Sequence, residues 1–456
     1  MAGRWSVLQL GDVCTKIGSG ATPRGGGSVY RESGPYALVR SQNIHNYGFT
    51  YEGLAHIKQV HADQLSGVEV LEGDILLNIT GESVARVCQA PREVLPARVN
   101  QHVAIVRPDP SRLDPGFLRY WLAAPETQER LLAWASAGAT RRALTKSMIE
   151  SLEVPVPGVE DQRRIAHILG TLDDKIELNR RVNETLEEMA RALFTSWFVD
   201  FDPVRAKAEG RDPGLPPHLA DLVPDRLVDS ESGEIPEGWE VRPLGDLLQV
   251  LETGGRPKGG VALYDSGVPS IGAESIVGLG IHDFSKTKYV PREYFDAMRR
   301  GHIQDGDVLL YKDGGKPGQF EPHVTLVGDG FPFSECAINE HVYRLRADSA
   351  LGQTYLYLWL SSEIAVAEMR NRGTGVAIPG LNSTQVKCLP TLVPTQLVAG
   401  YFGRTCGPLV SRILANCGES RALAAIRDAL LPRLISGEIS SSAIGRREVA
   451  LASSGS

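Results

Sequence analysis

Two glycine-rich segments carry residues that could bind phosphate groups. Glycines let backbone N–H groups approach an anion closely, and a neighbouring cation neutralises its charge. The segments are residues 18–26 and 253–260. The polar residues beside their prolines are Thr22 and Arg24 in the first segment and Arg256 and Lys258 in the second. Both segments are candidate contacts to a nucleic-acid backbone, and a hairpin loop without a ligand is the alternative.

Two further polar segments could read bases. Residues 78–83 and 311–316 follow equivalent motifs, Gly-Asp-Ile-Leu-Leu and Gly-Asp-Val-Leu-Leu, but differ in polar content. Different hydrogen-bonding groups on equivalent loops are what two different base sequences require; unconstrained surface loops are the alternative. The remaining candidate DNA-binding residues are Arg40, Gln42, Asn78, Thr80, Ser83, Arg141, Arg142, Glu274, Tyr311, Lys312 and Lys316.

Motifs for catalysis are missing from the sequence. Residues 314–317 come nearest to a P-loop and lack its spacing, and there is no Asp/Asn-Pro-Pro-Tyr/Phe, His-Glu-x-x-His or Gly-x-Ser-x-Gly motif. His102 and His341 recur after Asn-Gln and Asn-Glu, which favours hydrogen-bonded structural histidines over DNA-contacting ones. No catalytic residue, metal ligand or cofactor site is predicted in this chain.

The sequence elements that position these segments occur twice in the chain. Residues 5–12 return as 239–246, and residues 22–26 return as 256–260, both 234 positions later. Four further collinear matches pair 71–77 with 304–310, 99–103 with 338–342, 117–122 with 355–360 and 152–157 with 389–394. A repeat of this length indicates duplicated domains rather than solenoid units.

Short β-branched runs bounded by Gly, Pro and Asn predict strands, such as 74–79 and 99–106, with a helix from about Phe117 to Ala135. The predicted fold class is α+β, with two duplicated, mainly antiparallel domains separated by two long antiparallel coiled-coil helices. The predicted segments are domain 1 at 1–157, helix 1 at 158–200, a connector at 201–238, domain 2 at 239–394, helix 2 at 395–439 and a flexible tail at 440–456.

The helices are predicted from seams with four-three spacing, Ile165 to Trp197 and Phe402 to Leu434. Gly403, Gly407, Pro408 and Gly418 predict an irregular first half for the second helix. Antiparallel pairing places Asn179 against Ser420 and Asn183 against Asn416. We therefore predict one central hydrogen-bonded polar layer, and solvent exposure of these residues is the alternative.

Apolar residues outside the seam could bind helices of another protein. The candidates are Phe194, Phe198 and Leu431. The alternative is a broad face that the chain packs against itself.

Composition indicates a globular protein without a strong polyanion-binding charge. The chain has 456 residues and a formal net charge of −7, which still permits a local basic face for DNA. Its six cysteines form no Cys-x-x-Cys pair, and neither a signal peptide nor a membrane-spanning run is recognisable. We expect reduced thiols, a cytoplasmic location and no membrane partner.

Taken together, these motifs resemble the specificity (S) subunit of Type I restriction–modification systems. The resemblance rests on residues 238–246, the repeated Gly-Asp motifs, the passage from 154 into the helix at 165, residues 178–186 and residues 430–439. One departure is that residues 394–397 lack the acidic residue usual before the glutamine.

The resemblance implies a non-catalytic subunit whose two target-recognition domains each read one half of a bipartite, asymmetric site in double-stranded DNA. Two modification (methyltransferase) subunits would supply S-adenosylmethionine, and restriction (translocase/nuclease) subunits would supply ATP and Mg-dependent cleavage. The alternatives are an enzyme that acts alone and a coiled-coil scaffold that does not touch DNA.

Overall fold

The computed structural model describes residues 5–46, 48–137, 142–231, 233–314, 320–373 and 379–440. The chain divides into unit 1, residues 1–176 with 423–456, and unit 2, residues 177–422. Arg141, Lys316 and the predicted tail after Ser440 lie outside the described residues.

Unit 1 is built from short strands, short helices and parts of two long helices. Its strands are β1 Ser6–Gln9, β2 Cys14–Ser19, β3 Tyr36–Val39, β4 Ile44–His45, β5 Gly48–Phe49, β6 Ala55–Ile57, β7 Glu69–Val70, β8 Ile75–Asn78, β9 Val87–Gln89, β10 Ala97–Val99, β11 Val103–Pro108 and β12 Glu153–Val156. Its short helices are α1 Leu10–Val13, α2 Gln59–Gln64, α3 Pro115–Ala123, α4 Pro125–Ser136 and α5 Lys146–Glu150, and the long helices are α6 Val159–Phe198 and α13 Gln396–Ile435.

Two four-stranded sheets meet in unit 1. One has the order β2-β11-β8-β9 and is antiparallel; the other has the order β6-β3-β10-β7 and contains one parallel pair, β3 with β10. Successive side chains of a strand point to opposite faces. Along β11, Val103 and Ile105 accordingly enter one apolar core while Ala104 and Val106 enter another.

Two predicted elements of unit 1 are each divided in the structure. The strand expected over 99–106 is interrupted by a turn at 100–102, because Asn100 Oδ1 accepts the backbone N–H of His102 at 3.1 Å. The helix expected from Phe117 to Ala135 is two helices. Pro125 cannot continue the first one and holds Ala124 in an extended conformation.

Unit 2 repeats the plan. Its strands are β13 Leu227–Ser230, β14 Gly233–Pro236, β15 Glu240–Pro243, β16 Leu248–Thr253, β17 Val268–Ile271, β18 Ile276–Gly278, β19 Ile281–His282, β20 Lys288–Val290, β21 Val308–Tyr311, β22 Val324–Leu326, β23 Ala337–Ile338, β24 Val342–Ala347 and β25 Pro390–Val393. Its short helices are α7 Asp202–Ala208, α8 Pro217–Ala220, α9 Arg292–Ala297, α10 Gln353–Leu360, α11 Glu363–Arg372 and α12 Ser383–Lys387.

The sheets of the two units have the same strand order, although unit 2 has no counterpart of β7 in its smaller sheet. The order β16-β24-β21-β22 repeats β2-β11-β8-β9, and β20-β17-β23 repeats β6-β3-β10. The parallel pair also recurs, as β17 with β23. The duplication in the sequence is therefore a duplication of an α+β fold, as predicted.

The repeated Gly-Asp motif has a structural role in both units. Asp74 is fully buried, pairs with Arg107 at 2.7 Å and accepts the backbone N–H of Leu71 at 2.7 Å. Asp307 is equally buried and pairs with Arg346 at 2.7 Å. Each aspartate ties the turn before its strand to the neighbouring strand, which fixes where the following polar loop begins.

The second long helix corrects a prediction. It runs without interruption from Gln396 to Ile435, although glycines and Pro408 lower the helix propensity of its first half. Phe402, Cys406 and Ile413 are almost completely buried in the core of unit 2. Apolar packing therefore outweighs the unfavourable propensity.

The predicted polar layer between the two helices is confirmed in unit 2. Asn416 Nδ2 donates to Asn183 Oδ1 at 2.8 Å, and Asn179 Nδ2 donates to Ser420 Oγ at 3.3 Å. Asn179 also donates to Glu419 at 2.8 Å. The pairing is antiparallel, and Asn179 and Asn416 are both 2% exposed, so the layer is internal.

A double-mutant cycle is expected to expose the energetics of this layer. Asn416→Leu removes the donor to the side-chain oxygen Asn183 Oδ1 and should lower the free energy of unfolding by about 1–3 kcal/mol. Asn183→Leu with Asn416→Leu removes both polar groups and should regain most of that loss. Urea denaturation of the wild type, the two single variants and the double variant gives the four free energies of unfolding that the cycle needs. Strictly additive losses would contradict a direct interaction between the two side chains.

Candidate nucleic-acid interface

An Asn-x-His turn lies at the centre of each candidate interface. Asn339 Oδ1 accepts the backbone N–H of His341 at 2.9 Å, repeating the Asn100–His102 turn of unit 1. The carbonyl of His102 accepts the backbone N–H of Ile79 at 3.0 Å, and the carbonyl of His341 accepts that of Lys312 at 2.9 Å. The turn is thereby joined to the loop that follows the Gly-Asp strand.

The glycine-rich segment reaches the same turn from the other side. Gly20 N donates to the carbonyl of Val103 at 2.8 Å, and Gly254 N donates to that of Asn339 at 3.2 Å. A Cβ at Gly20 would lie 2.1 Å from the carbonyl oxygen of Val99. A Cβ at Gly254 would lie 1.6 Å from that of Ile338. Only glycine permits this approach of two backbones.

Gly20→Ala is expected to displace the glycine-rich segment from the turn. The clash is with backbone, so it cannot be relieved by a side-chain rotation, and we expect a loss of roughly 1–3 kcal/mol of stability. Gly18→Ala is the matched control, because a Cβ there meets nothing within 4 Å. Thermal denaturation of both variants measures the difference. Equal melting temperatures would contradict the close approach.

In unit 1 four polar side chains form a continuous hydrogen-bonded chain. The Thr22 hydroxyl donates to Gln101 Oε1, and Gln101 Nε2 lies 3.0 Å from His102 Nε2. His102 Nδ1 lies 2.6 Å from the Thr80 hydroxyl. The prediction that His102 is a hydrogen-bonded histidine is confirmed. We call the set Thr22, Gln101, His102 and Thr80 the unit 1 relay.

In unit 2 the positions equivalent to Thr22, Gln101 and Thr80 carry charged groups. Arg256 Nε pairs with Glu340 Oε1 at 2.9 Å, and Glu340 Oε1 lies 3.4 Å from His341 Nε2. His341 Nδ1 pairs with Asp313. We call the set Arg256, Glu340, His341 and Asp313 the unit 2 relay. Lys312 adds a cation at its edge, 3.2 Å from Asp313.

Several predicted DNA contacts form hydrogen bonds within the chain. Asn78 is fully buried and donates to the Ser41 carbonyl at 2.8 Å and to Ser83 Oγ at 3.2 Å. Arg40 lies over the Tyr30 ring, 5.4 Å from its centroid, and donates to the Gly53 carbonyl. In the structure Asn78, Ser83 and Arg40 therefore shape the loops, which the sequence pattern did not indicate.

Other predicted contacts lie on the surface. Arg24, Gln42, Arg142, Lys258 and Glu274 are exposed. Gln42 donates weakly to the Gly53 carbonyl at 3.3 Å. These side chains can reach a ligand without breaking the core.

Tyr311 provides an aromatic platform beside the unit 2 relay. Its ring stacks on Phe320, with centroids 6.0 Å apart and an angle of 14° between the planes. Burial raises the pKa of Tyr311, and the carboxylates of Asp313 and Glu274 raise it further. Its hydroxyl therefore remains protonated at neutral pH and can donate a hydrogen bond.

Three relay members were missed by the sequence reasoning: Gln101, Glu340 and Asp313. The signal was present in the duplicated Asn-Gln-His and Asn-Glu-His triplets, which conserve the histidine and exchange its neighbour. The part that the sequence could not supply was the contact with Thr80 and Asp313, which are distant along the chain.

The partner-binding candidates require correction. Phe194 and Phe198 are 2% and 3% exposed in the core of unit 2, where Phe198 packs on Trp239 with ring centroids 5.7 Å apart. Leu431 is fully buried in the core of unit 1. The broad apolar face is packed against the chain itself, so these side chains are not available to another subunit.

Comparison with known proteins finds similar sequences and a similar fold. Residues 3–188 match the family model of the Type I restriction modification DNA specificity domain. The MjaIX specificity subunit of Methanocaldococcus jannaschii is 26% identical over 95% of this chain and 93% of that protein. Over most of its length this chain is therefore similar in sequence to Type I specificity subunits.

Two further comparisons extend the likeness. The HindI specificity subunit of Haemophilus influenzae is 25% identical over 95% of this chain and 99% of that protein. The crystal structure of the S subunit from M. genitalium shares the fold with a TM-score of 0.54 at 15% identity, covering 94% of this chain and 96% of that one. The similarity to specificity subunits thus covers both copies of the duplication.

The described part of the chain contains no helix that is long and apolar enough to span a membrane. Within the same ranges, His, Cys, Asp and Glu side chains form no group of three or more that could hold a metal ion.

Proposed function

We propose that this chain is the non-catalytic DNA-sequence specificity subunit of a Type I restriction–modification complex. The observation that carries the proposal is the repeated α+β fold, which presents equivalent loops with different polar groups. Related specificity subunits match over almost the whole chain. Each half of the duplication would read one part of a bipartite, asymmetric DNA site.

The two relays support this division of labour. Base edges are distinguished by their pattern of donors and acceptors, so two readers need different polar groups on a common scaffold. Thr80 and Gln101 in unit 1 are replaced by Asp313 and Glu340 in unit 2. Exposed Arg24, Arg142 and Lys258 would contact phosphates, which position the protein without conferring sequence preference.

The long helices would set the distance between the half-sites and dock two modification subunits. Their polar layer would fix the register of the helix pair, and this register would determine the distance between the two DNA-reading domains. In the proposed complex S-adenosylmethionine belongs to the modification subunits, and ATP and Mg²⁺ belong to the restriction subunits. This chain would contribute no cofactor.

Binding and methyl-transfer assays separate this proposal from its two alternatives. The purified chain should transfer no labelled methyl group from S-adenosylmethionine to DNA, whereas the chain with its modification partner should do so and should footprint a bipartite site. Methyl transfer by the chain alone would identify an enzyme. Assembly with the partner without any footprint would identify a scaffold.

Substitution of the exposed cations is expected to weaken binding equally for all DNA sequences. Arg24→Ala or Lys258→Ala should each lower the slope of log affinity against log salt by about one. Arg163→Ala on α6, where the arginine pairs with Glu160 at 2.9 Å, is the control and should leave the slope unchanged. Fluorescence anisotropy at several salt concentrations measures the slope. A changed target motif with the original slope would contradict a phosphate contact.

A further inference from the structure

We propose that His102 and His341 are positioning residues, each of which holds the DNA-reading loops of its own unit in register. The inference rests on the proposed function and assigns a role to residues inside that interface. In each unit the imidazole lies between the glycine-rich segment and the loop after the Gly-Asp strand. These are the two segments whose residues would touch DNA.

The relay of unit 1 crosses from one segment to the other through the ring. Thr22 belongs to the glycine-rich segment and reaches His102 Nε2 through Gln101. Thr80 belongs to the loop after the Gly-Asp strand, here called the strand-end loop, and its hydroxyl lies 2.6 Å from His102 Nδ1. Because the side-chain amide of Gln101 donates to His102 Nε2, that ring nitrogen is an acceptor. His102 Nδ1 therefore carries the proton and donates to the Thr80 hydroxyl. The ring therefore has a defined orientation and a partner on each side.

The same path exists in unit 2 with different chemistry. Arg256 in the glycine-rich segment pairs with Glu340 at 2.9 Å, and Asp313 in the strand-end loop pairs with His341 Nδ1. Three neutral side chains, Thr22, Gln101 and Thr80, thus become Arg256, Glu340 and Asp313, while the histidine stays. The retained residue supplies the connection, and the exchanged residues give each surface its own hydrogen-bonding character.

The exposure of the rings argues against a purely structural role. The side chain of His341 is 33% exposed, whereas the Asn339 that builds its turn is 6% exposed. The turn is already fixed by Asn339 and by the backbone bond from Lys312. The imidazole adds only the bonds between loops, so its removal should leave the fold intact and release the loops.

The unit 2 relay determines the orientation of the Arg256 side chain. Glu340 holds its guanidinium, so the orientation of the cation depends on a carboxylate that also faces His341. In unit 1 the equivalent Thr22 carries no charge. We therefore expect discrimination in each half-site to depend on the histidine of that unit and not on the histidine of the other unit.

The test uses the full chain in complex with its modification subunits. His102→Phe and His341→Phe remove both ring nitrogens. Competition binding compares the specific site with sites altered at one base pair in either half. We expect His102→Phe to reduce discrimination in the half-site read by unit 1 about tenfold, with less than about twofold change in the other half-site. His341→Phe should show the reverse, so each variant is the control for the other.

Two milder variants keep the test decisive if a phenylalanine is not tolerated. Thr80→Val and Asp313→Asn change one relay partner each and should give smaller losses confined to the same halves. His102→Gln, which can still accept and donate, should restore part of the discrimination lost in His102→Phe. Thermal midpoints of all variants should stay near that of the wild type.

The inference is overturned if both half-sites lose discrimination together, or if no variant changes either half. These outcomes differ from failure of the proposed function, in which the wild-type complex itself would not distinguish a bipartite site from unrelated DNA.

Discussion

Exchange of residues 5–150 for the corresponding segment of a relative is expected to change one half of the methylated DNA motif and leave the other half unchanged. Each copy of the duplicated fold has its own sheets, cores and relay, so its loops are held by contacts inside that copy. Sequencing of methylated adenines in a host that carries the chimera measures the motif. A change in both halves, or in neither, would contradict independent readers.

The chimera must preserve the contacts of unit 1 with the long helices. Tyr120 donates to Asp173 on α6 at 2.6 Å, and Asp173 also pairs with Arg427 on α13 at 2.8 Å. Arg119 completes this buried cluster. A graft that keeps Arg119 and Tyr120 retains the cluster, and a second graft without them is the control. The second graft should lose stability by about 1–3 kcal/mol, since Asp173 would lose two of its hydrogen-bond donors in a poorly solvated position while keeping Arg427.

Insertion of one heptad into both long helices is expected to lengthen the gap between the half-sites. Seven residues add about 10 Å to a helix, which corresponds to roughly three base pairs at about 3.4 Å each. Insertions after Ile176 and after Ala422 lie between the Asp173–Arg427 pair and the polar layer, and they preserve the heptad phase on both helices. The methylated motif of the variant gives the new spacing.

A heptad in α6 alone is the control for this experiment. It would shift one helix against the other by two turns and separate Asp173 from Arg427 or Asn183 from Asn416, so assembly should be impaired. The original spacing in the doubly extended protein would contradict the role of the helices as a ruler.

The features that repeat or recur with a regular period were predictable. The duplicated landmarks gave two copies of one α+β plan, and the heptad seam gave both helices and their polar layer. Asn183 and Asn416 pair as expected because four-three spacing and antiparallel symmetry determine which positions meet.

Features that depend on tertiary contacts were not predictable. Gly403 and Pro408 suggest an interrupted helix, but the buried face of α13 overrides them. Phe194 was expected on a partner surface because nothing in the pattern reveals that Tyr355 and Phe402 cover it. The relays join residues that are far apart in sequence, so only the fold brings Thr80 to His102.

The most direct test of the proposed function is the genome-wide map of methylated adenine in a host that carries this chain and its modification partner, compared with the same host lacking only this chain. We expect one asymmetric motif, made of two short defined sequences separated by a gap of fixed length and undefined sequence, which disappears when the chain is absent. A single uninterrupted motif, or a motif that persists without the chain, would contradict the account.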